Sequence, residues 1–592
     1  MRYVRITQAT RPRTRHALVL LVFVALSFLL FAAADLHPTS TLIGATNADP
    51  SLHVWFMRWL PHAMSAHINP LFSAHVDEPG GVNLMWNTWV PLPALVLTPL
   101  TIVGGPVTSF DAAVTLGIAL SAWCMYLAAE HFVHRTWPAI AAGAAYGFSP
   151  FLLDHAYVGH SNLVLAFVPP LMLIALDSIL VRQAVSAWRS GRWFGLLMAV
   201  QFFISEELLA SEAVAVLIGI AVLAVLRRGQ LANRWRYAVR SFAVALLVFV
   251  PLAAYPLWFQ FFGPGVPQGS VTATNFFVTD LLNLVLPTDA QGLEPGFAKT
   301  VSQSYAGNSG EWGGYLSLPM LVVVGWAVWH GRRQLLVRVV ALTGLALLVL
   351  SFGSSLHVAG MDTHIPLPGL ILARLPLLED LLPTRFSLYV ALMAALLVAI
   401  ALAATPQPRR RRRWLAVSLA LLAASYLPPL PFPTHSATSP AFFAVTPRPY
   451  PTNAALLVVP FSQDFYSPDA MLWQAQAGMS FRMPEGYIID TLPSGRAGTG
   501  PPPSSTSVVL AAISDGRATS AGVDSDTRGR IATELHQWGI TGVVFVPTGR
   551  HDDAVRNFLV SMFGDSYRTE LGVTYWPLKA ARSAPPDQQR GG

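Results

Sequence analysis

Apolar residues along the chain fall into blocks of near-spanning length, separated by short connectors that carry arginine. A helix rising 1.5 Å per residue needs about 20 residues to cross a hydrocarbon layer roughly 30 Å thick. On that ruler the blocks near 17–34, 110–132, 137–153, 162–181, 193–206, 211–226, 241–258, 313–330, 336–353, 385–404 and 414–430 predict helices, about eleven spans in all. Two stretches test the count. The block 193–226 carries Glu206 and Glu207 at its middle, and two short helices meeting in a hairpin explain this better than one helix with both carboxylates in lipid. The block 90–105 is apolar but interrupted by Pro91, Pro93, Pro99 and Gly104, which predicts an interfacial or re-entrant segment, because proline removes backbone donors and kinks helices.

After the last block the pattern changes. A linker rich in Pro, Thr and Ser over 427–440 leads into mixed composition, where 454–459 and 540–546 read as buried strands, 553–563 as a helix and 573–576 as a final strand. The fold class expected is therefore a polytopic α-helical membrane protein with a C-terminal extracytoplasmic α/β domain. Residues 1–430 form the membrane part, with a long first outer loop over 35–109, and 431–592 form the second domain. No repeat of solenoid type is visible.

Composition agrees: 53% of the 592 residues are hydrophobic and 12% charged, about half the charge of a soluble domain. Soluble enzymes, disordered chains and singly anchored ectodomains are excluded. The net charge of +7 does not indicate nucleic acid, because all but Lys299 and Lys579 of the 38 cations are arginines, most of them between apolar blocks where they orient helices. The arginines before residue 16, Arg135, those of 182–192, 227–240 and 332–338, and the run 409–413 predict cytoplasmic connectors. The N-terminus is then cytoplasmic, the C-terminal domain extracytoplasmic, and the protein multi-pass in the inner (plasma) membrane. The first apolar run is too long for a cleaved signal sequence, so it is expected to remain as a helix. Cys124 is the single cysteine, which rules out an intrachain disulfide.

Ionisable residues not explained by topology gather on the expected outer side: Asp49, His53, Arg58, His62, Asp77, Glu78, Asp154, His160, Glu206, Glu207, Glu311, Arg374 and Arg385. Acids, imidazoles and guanidinium groups collected beside helix ends predict a polar cavity at the membrane surface. No P-loop, dinucleotide glycine fingerprint or HExxH motif is present, so nucleotide-driven and nicotinamide chemistry have no support.

Several segments, in order, resemble the polytopic bacterial glycosyltransferases of the GT-C type, in particular actinobacterial ones. They are Asn47-Ala48-Asp49-Pro50, 55–62 with Asn69-Pro70, Pro79-Gly80-Gly81-Val82-Asn83-Leu84, Gly159-His160, Ser205-Glu206-Glu207, Gly310-Glu311-Trp312-Gly313-Gly314 and Leu382-Pro383-Thr384-Arg385-Phe386. The resemblance covers most of the membrane part and implies an inverting transfer of sugar from a polyprenyl-phosphate donor. The acceptor would be a cell-envelope glycan, lipid or protein on the outer side. Asp49 is then the candidate catalytic base, and Arg385 with Arg58 the candidate phosphate ligands, since guanidinium matches phosphate bidentately. His62, His160, Glu206, Glu207 and Glu311 are candidate substrate-binding residues.

Each residue also has a structural reading. Asp49 before Pro50 suits a turn or a helix start, and Arg385 suits a headgroup anchor. His160 suits an interfacial hydrogen bond, one of Glu206 and Glu207 suits a cap on the hairpin, and the Trp-rich first loop suits an aromatic belt. His53 and His62 lack zinc-site spacing, so no metal ligand is assigned, although a divalent cation remains compatible with the chemistry. The competing class is a non-catalytic transporter of lipid or envelope precursor, or an assembly scaffold. A transporter calls for pseudo-symmetric halves and binding near the midplane, whereas polar residues here lie toward one surface.

Overall fold

The computed structural model describes residues 12–46, 48–227, 234–404, 409–462 and 469–578. Asn47, the first arginines, part of the 227–240 connector and Lys579 lie outside them. The membrane part comprises α1 (Pro12–Leu30), α2 (Ala48–Ser65), α3 (Thr98–Val133), α4 (Thr136–Gly147), α5 (Pro150–Val158), α6 (Ala187–Phe202), α7 (Glu206–Leu226) and α8 (Trp235–Phe262). It continues with α9 (Leu318–Gly331), α10 (Leu335–Ser351), α11 (Phe386–Ala403) and α12 (Arg409–Tyr426). Among the described residues six helical stretches are long and apolar enough to cross a membrane, including Ser161–Arg182, and α9, α10 and 413–426 are shorter apolar helices.

The hairpin expected around Glu206 is present: α6 ends at Phe202, and Ser205 caps α7 by accepting from the Leu208 N–H at 3.3 Å. The block 162–181 is interrupted at residues 165–167 and ends in a π-helical turn over Asp177–Arg182, and two further elements differ from the sequence expectation. The block 137–153 is divided, because Phe148 and Ser149 leave helical geometry before Pro150 opens α5; proline fits a helix's first turn but disfavours helix in the residue before it. The helix expected from residue 110 begins at Thr98, and the stretch 90–105 is helical in two pieces, Pro91–Val96 and the start of α3, with Gly105 at φ +87° before Pro106.

Small residues let the helices approach closely. Gly143 and Gly147, four apart on α4, face Ala122 of α3, and a Cβ on Gly147 would lie 2.3 Å from the Ala122 Cβ. Gly191 and Gly195 of α6 similarly meet Ser241 and Ala245 of α8. Both pairs have the small-xxx-small spacing that allows backbone contact between helices. Helix α11 is buried along nearly its whole length and packs against α4, α9 and α10.

The C-terminal region holds α13 (Asp469–Gln476), α14 (Ser505–Ser514), α15 (Ser525–Gln537) and α16 (Asp552–Phe563) around a five-stranded sheet. Its strands β1 (Ala454–Val459), β2 (Phe481–Arg482), β3 (Gly542–Phe545), β4 (Arg568–Glu570) and β5 (Val573–Pro577) lie in the order β4-β5-β3-β1-β2. Strand β1 is parallel to β2 and β3, and β3 is antiparallel to β5. Alternation gives β1 two apolar faces. Ala455, Leu457 and Val459 pack under α14–α16, while Ala454, Leu456 and Val458 belong to the cluster that continues into the membrane part.

That second face is sewn to the segment between α1 and α3. Trp55 of α2 donates to Gln474 at 2.5 Å, and Gln474 donates to the His75 carbonyl at 2.8 Å. Asn87 and Ile489 exchange two hydrogen bonds, and Arg482 pairs with Glu78 at 2.5 Å. Trp55 and Trp59 are fully buried and stacked with centroids 5.3 Å apart, so these two are core residues and not a belt. Asp77 shares a side-chain hydrogen bond with Asp490 across the same seam, and burial followed by this acidic neighbour pushes the Asp77 carboxyl well above the ordinary carboxylate range.

A carboxyl that holds its proton more tightly when folded stabilises the protein at low pH and loses that contribution as pH rises. Unfolding midpoints of the detergent-solubilised protein are expected to fall from about pH 5 to about pH 9, and Asp490→Asn to flatten that dependence. An unchanged slope in Asp490→Asn counts against the shared proton.

Candidate active site

Asp49 sits in the first turn of α2, where the helix dipole favours a carboxylate. Its Oδ2 lies 3.3 Å from His160 Nε2, and its Oδ1 accepts from the Tyr487 hydroxyl at 3.2 Å. Burial would raise the Asp49 carboxyl, but the charge and hydrogen bond of His160 outweigh it, with smaller help from His53 and Tyr487, and hold the group below its usual range. Burial would likewise depress the imidazole, and the Asp49 carboxylate reverses this and holds His160 above its usual value. Both directions describe one ion pair.

This pair is reached through a glycine-bearing turn at the end of α5. Gly159 ends α5 in the left-handed region at φ +86°, and a Cβ there would lie 2.3 Å from Pro50 Cγ. Only a residue without Cβ brings the start of α2 and the end of α5 this close while turning His160 toward Asp49. His53, one turn after Asp49, continues the contact by meeting the Ser161 hydroxyl at 3.1 Å.

From His160 the polar chain passes inward. His160 Nδ1 lies 3.0 Å from His155 Nδ1. His155, His160 and Glu311 each offer a ligand atom within 4.8 Å of the others. Glu311 Oε2 accepts from the Thr384 hydroxyl at 2.8 Å and pairs with Arg385. Arg385, 5% exposed in its side chain, also pairs through Nε with Glu207 at 2.9 Å. Beside Glu311 lies Asp154, fully buried, with neither carboxylate oxygen hydrogen-bonded among the described residues. Its carboxyl is raised well above the usual range by burial and by the nearby Asp289 and Glu311. The glycines flanking Glu311 permit this packing: Gly310 faces Val158, and Gly313 faces the Phe151 backbone and Asp154.

Of the residues singled out from sequence, Asp49, His160, Glu311, Arg385 and Glu207 thus gather in one cluster. Glu206 stands apart, accepting from Gln260 at 2.9 Å, and the cap on its helix is Ser205 rather than either glutamate. Arg58 and His62 also stand apart, on the seam with the C-terminal region. Asp49 and Arg58 are nine residues apart on one helix, about two and a half turns, which sets them on opposite faces. Sequence reasoning gave no role to His155, Thr384 or Tyr487. His155 had a signal, since Asp154-His155 followed by His160 places three ionisable groups in an otherwise apolar run; Tyr487 had none. Two imidazoles and a carboxylate, with an orphaned buried carboxyl beside them, form a donor set that suits a divalent cation.

A family model described as a domain of unknown function, DUF6311, matches residues 19–381. The chain belongs to that family. No curated protein matches the sequence. Among solved structures, this DUF6311 protein is similar to the arabinofuranosyltransferase AftD from Mycobacteria, with a TM-score of 0.57 at 16% identity over 97% of this chain. It spans 40% of the AftD chain. It is also similar to the archaeal oligosaccharyltransferase AglB from Archaeoglobus fulgidus, in complex with an inhibitory peptide and a dolichol-phosphate, with a TM-score of 0.50 at 12% identity over 91% of this chain and 70% of that one. A complex of the Archaeoglobus fulgidus oligosaccharyltransferase with Zn and sulfate matches with a TM-score of 0.50 at 12% identity, over 89% of this chain and 68% of that one. These neighbours are GT-C glycosyltransferases, and the DUF6311 protein shares their multi-pass helical membrane fold.

Gly159→Ala is expected to lower stability by roughly 1–3 kcal/mol, combining overpacking against Pro50 with an unfavourable φ. Thermal unfolding of the purified protein measures this; a variant as stable as the parent removes the close approach from the account.

Proposed function

We propose that this DUF6311 protein is an inverting membrane glycosyltransferase. It takes a sugar from a polyprenyl-phosphate donor and passes it to a cell-envelope glycan, lipid or protein acceptor on the outer side of the plasma membrane. The observation that carries the reading is the line of polar groups from Asp49 through His160 and His155, with Glu311 within 4.8 Å of both imidazoles, to Arg385, set in a fold shared with GT-C enzymes. An acceptor base and a phosphate-binding cation belong to one wet pocket in such a reaction, and here they stand at the two ends of that line. The likeness to AglB, captured with a dolichol-phosphate, supports a lipid-linked donor.

In the displacement, the acceptor hydroxyl oxygen forms a bond to the anomeric carbon while the bond from that carbon to the phosphate oxygen breaks. Asp49 receives the hydroxyl proton. A carboxylate held below its usual range is a weak base but is ionised across the neutral range, which suits a proton released late, once the new bond has formed. His160 keeps that carboxylate charged and oriented. Arg385 lies ready for the phosphate oxygens, provided Glu207 or Glu311 gives up its share of the guanidinium. With the His160 ring neutral, so that Nδ1 is free as a ligand while Nε2–H still donates to Asp49, His155, His160 and Glu311 would hold a divalent cation, whose charge would supply Lewis-acid stabilisation of the departing phosphate. Thr384 fixes the Glu311 carboxylate from the same turn that carries Arg385. Residues 431–592 would form the extracytoplasmic domain that helps hold the acceptor, with Tyr487 reaching Asp49 from that side.

Asp49→Asn in the purified protein is expected to reduce transfer of radiolabelled sugar from a polyprenyl-phosphate donor by roughly 10²–10⁴-fold, with the unfolding transition preserved. Transfer at the parent rate overturns the assignment of Asp49. Movement of intact lipid between vesicle leaflets without sugar transfer replaces the enzyme reading by a transporter.

A further inference from the structure

A second group of cations lies away from the network just described. Arg58 and His62 are one turn apart on α2 and therefore neighbours on one face. His75, from the loop after α2, brings its ring to 4.8 Å from that of His62, and Trp59 stands against both imidazoles. Across from them the backbone of Gly478 closes on the guanidinium: a Cβ at that glycine would lie 3.1 Å from Arg58 Nη2.

The group is anomalous because no acid faces it, although the His75 ring does donate to the Met479 backbone. The Arg58 Nε and the His75 Nε2 are buried without a hydrogen-bond partner, and among the described residues no carboxylate forms an ion pair with Arg58. The nearest cation, Arg482, is already satisfied by Glu78 at 2.5 Å and by the Asn453 carbonyl at 3.3 Å. Partly burying a guanidinium beside two imidazoles with no acid to face them costs free energy, and burial is tolerated when a counter-charge arrives from elsewhere. Burial holds both imidazoles below their usual value, His75 at about 4. At neutral pH Arg58 therefore carries the charge, the neutral His62 ring offers one N–H donor, and His75, its own N–H given to the Met479 backbone, supplies an aromatic wall.

We propose that Arg58, His62 and His75 form a phosphate-oxyanion site on the seam between α2 and the C-terminal region, separate from the sugar-transfer centre. The guanidinium fork takes two oxygens, the His62 N–H donates to a third, and the His75 ring walls the site. The site lies about 13 Å along α2 from Asp49, so a phosphate bound there is not the one that leaves in the reaction. Resting on the transferase reading, it holds a phosphate that belongs to the acceptor, either the headgroup of a lipid acceptor or a phosphate on a water-borne glycan.

The test is binding, so that it stands whether or not sugar transfer is observed. Calorimetric titration of the full-length protein in neutral detergent with inorganic phosphate is expected to show a saturable site at Arg58. Arg58→Gln is expected to remove one bound phosphate per chain, or weaken it at least tenfold, with the unfolding midpoint retained. Arg58→Lys, which keeps the charge but loses the fork, is expected to fall between. If Arg58→Gln does not fold, His62→Leu serves as the second variant, with a several-fold weakening expected. Phosphate binding of parental stoichiometry and affinity in the folded variant overturns the proposal, as does the absence of any saturable phosphate in the parent. Repeating the titration in nanodiscs with and without anionic phospholipid separates the sources: competition assigns the site to a headgroup, and undiminished binding assigns it to a water-borne phosphate.

Discussion

The ion pair between Asp49 and His160 governs the organisation around it. A carboxylate taken out of water is tolerated only when its charge is met, and here the counter-charge comes from an imidazole that burial would by itself neutralise. Each group holds the other in its charged form. The pair also fixes where chain segments must meet: the start of α2, the turn after α5 and, through Tyr487, the region beyond β2. Gly159 against Pro50 is the backbone condition for that meeting.

Arg385 repeats the logic deeper in the molecule. Its guanidinium bridges Glu207 at the head of α7 and Glu311 in the loop before α9, while its own turn opens α11. Three helices far apart in sequence are thereby held at one level, and the buried α11 serves as the post on which they are aligned. The same bridge sets the local charge balance, since carboxyl groups outnumber the cations that meet them, and Asp154, its carboxyl raised by burial, adds two oxygens with no hydrogen-bond partner among the described residues.

Much of this was legible along the chain, and the reasons are physical. Adjacent glutamates inside an apolar block cannot both face lipid, so the α6–α7 hairpin was readable without a structure. The runs now seen as β1 and β3 were readable as short, mostly apolar stretches bounded by polar turns. The break between α4 and α5 was hidden because its residues are as apolar as their surroundings, and only Pro150 marks it. Among site residues, those at helix ends were readable, since a charged group there has no topological excuse. The pairing of Arg58 with Arg385 was not, because helical phase carries Arg58 to the far side of α2. Tyr487 became visible only as a neighbour in space, whereas His155 was marked by its place beside Asp154 in an apolar run, and the Trp-rich loop, which resembled a belt by composition, supplies two of the most deeply buried rings.

The seam between α2 and the C-terminal region alters what a boundary means in this chain. Composition changes near residue 430, yet Thr434–Ser436 pairs antiparallel with Thr41–Ile43, binding the stretch after the last apolar helix to the stretch after the first. Gln474 and Tyr487 then reach back to Trp55 and Asp49. A cut at the compositional break would therefore strip away half of a shared interior instead of releasing a free-standing module, leaving tryptophans and an unsupported carboxylate open to solvent. The covalent order separates two parts that are mechanically one.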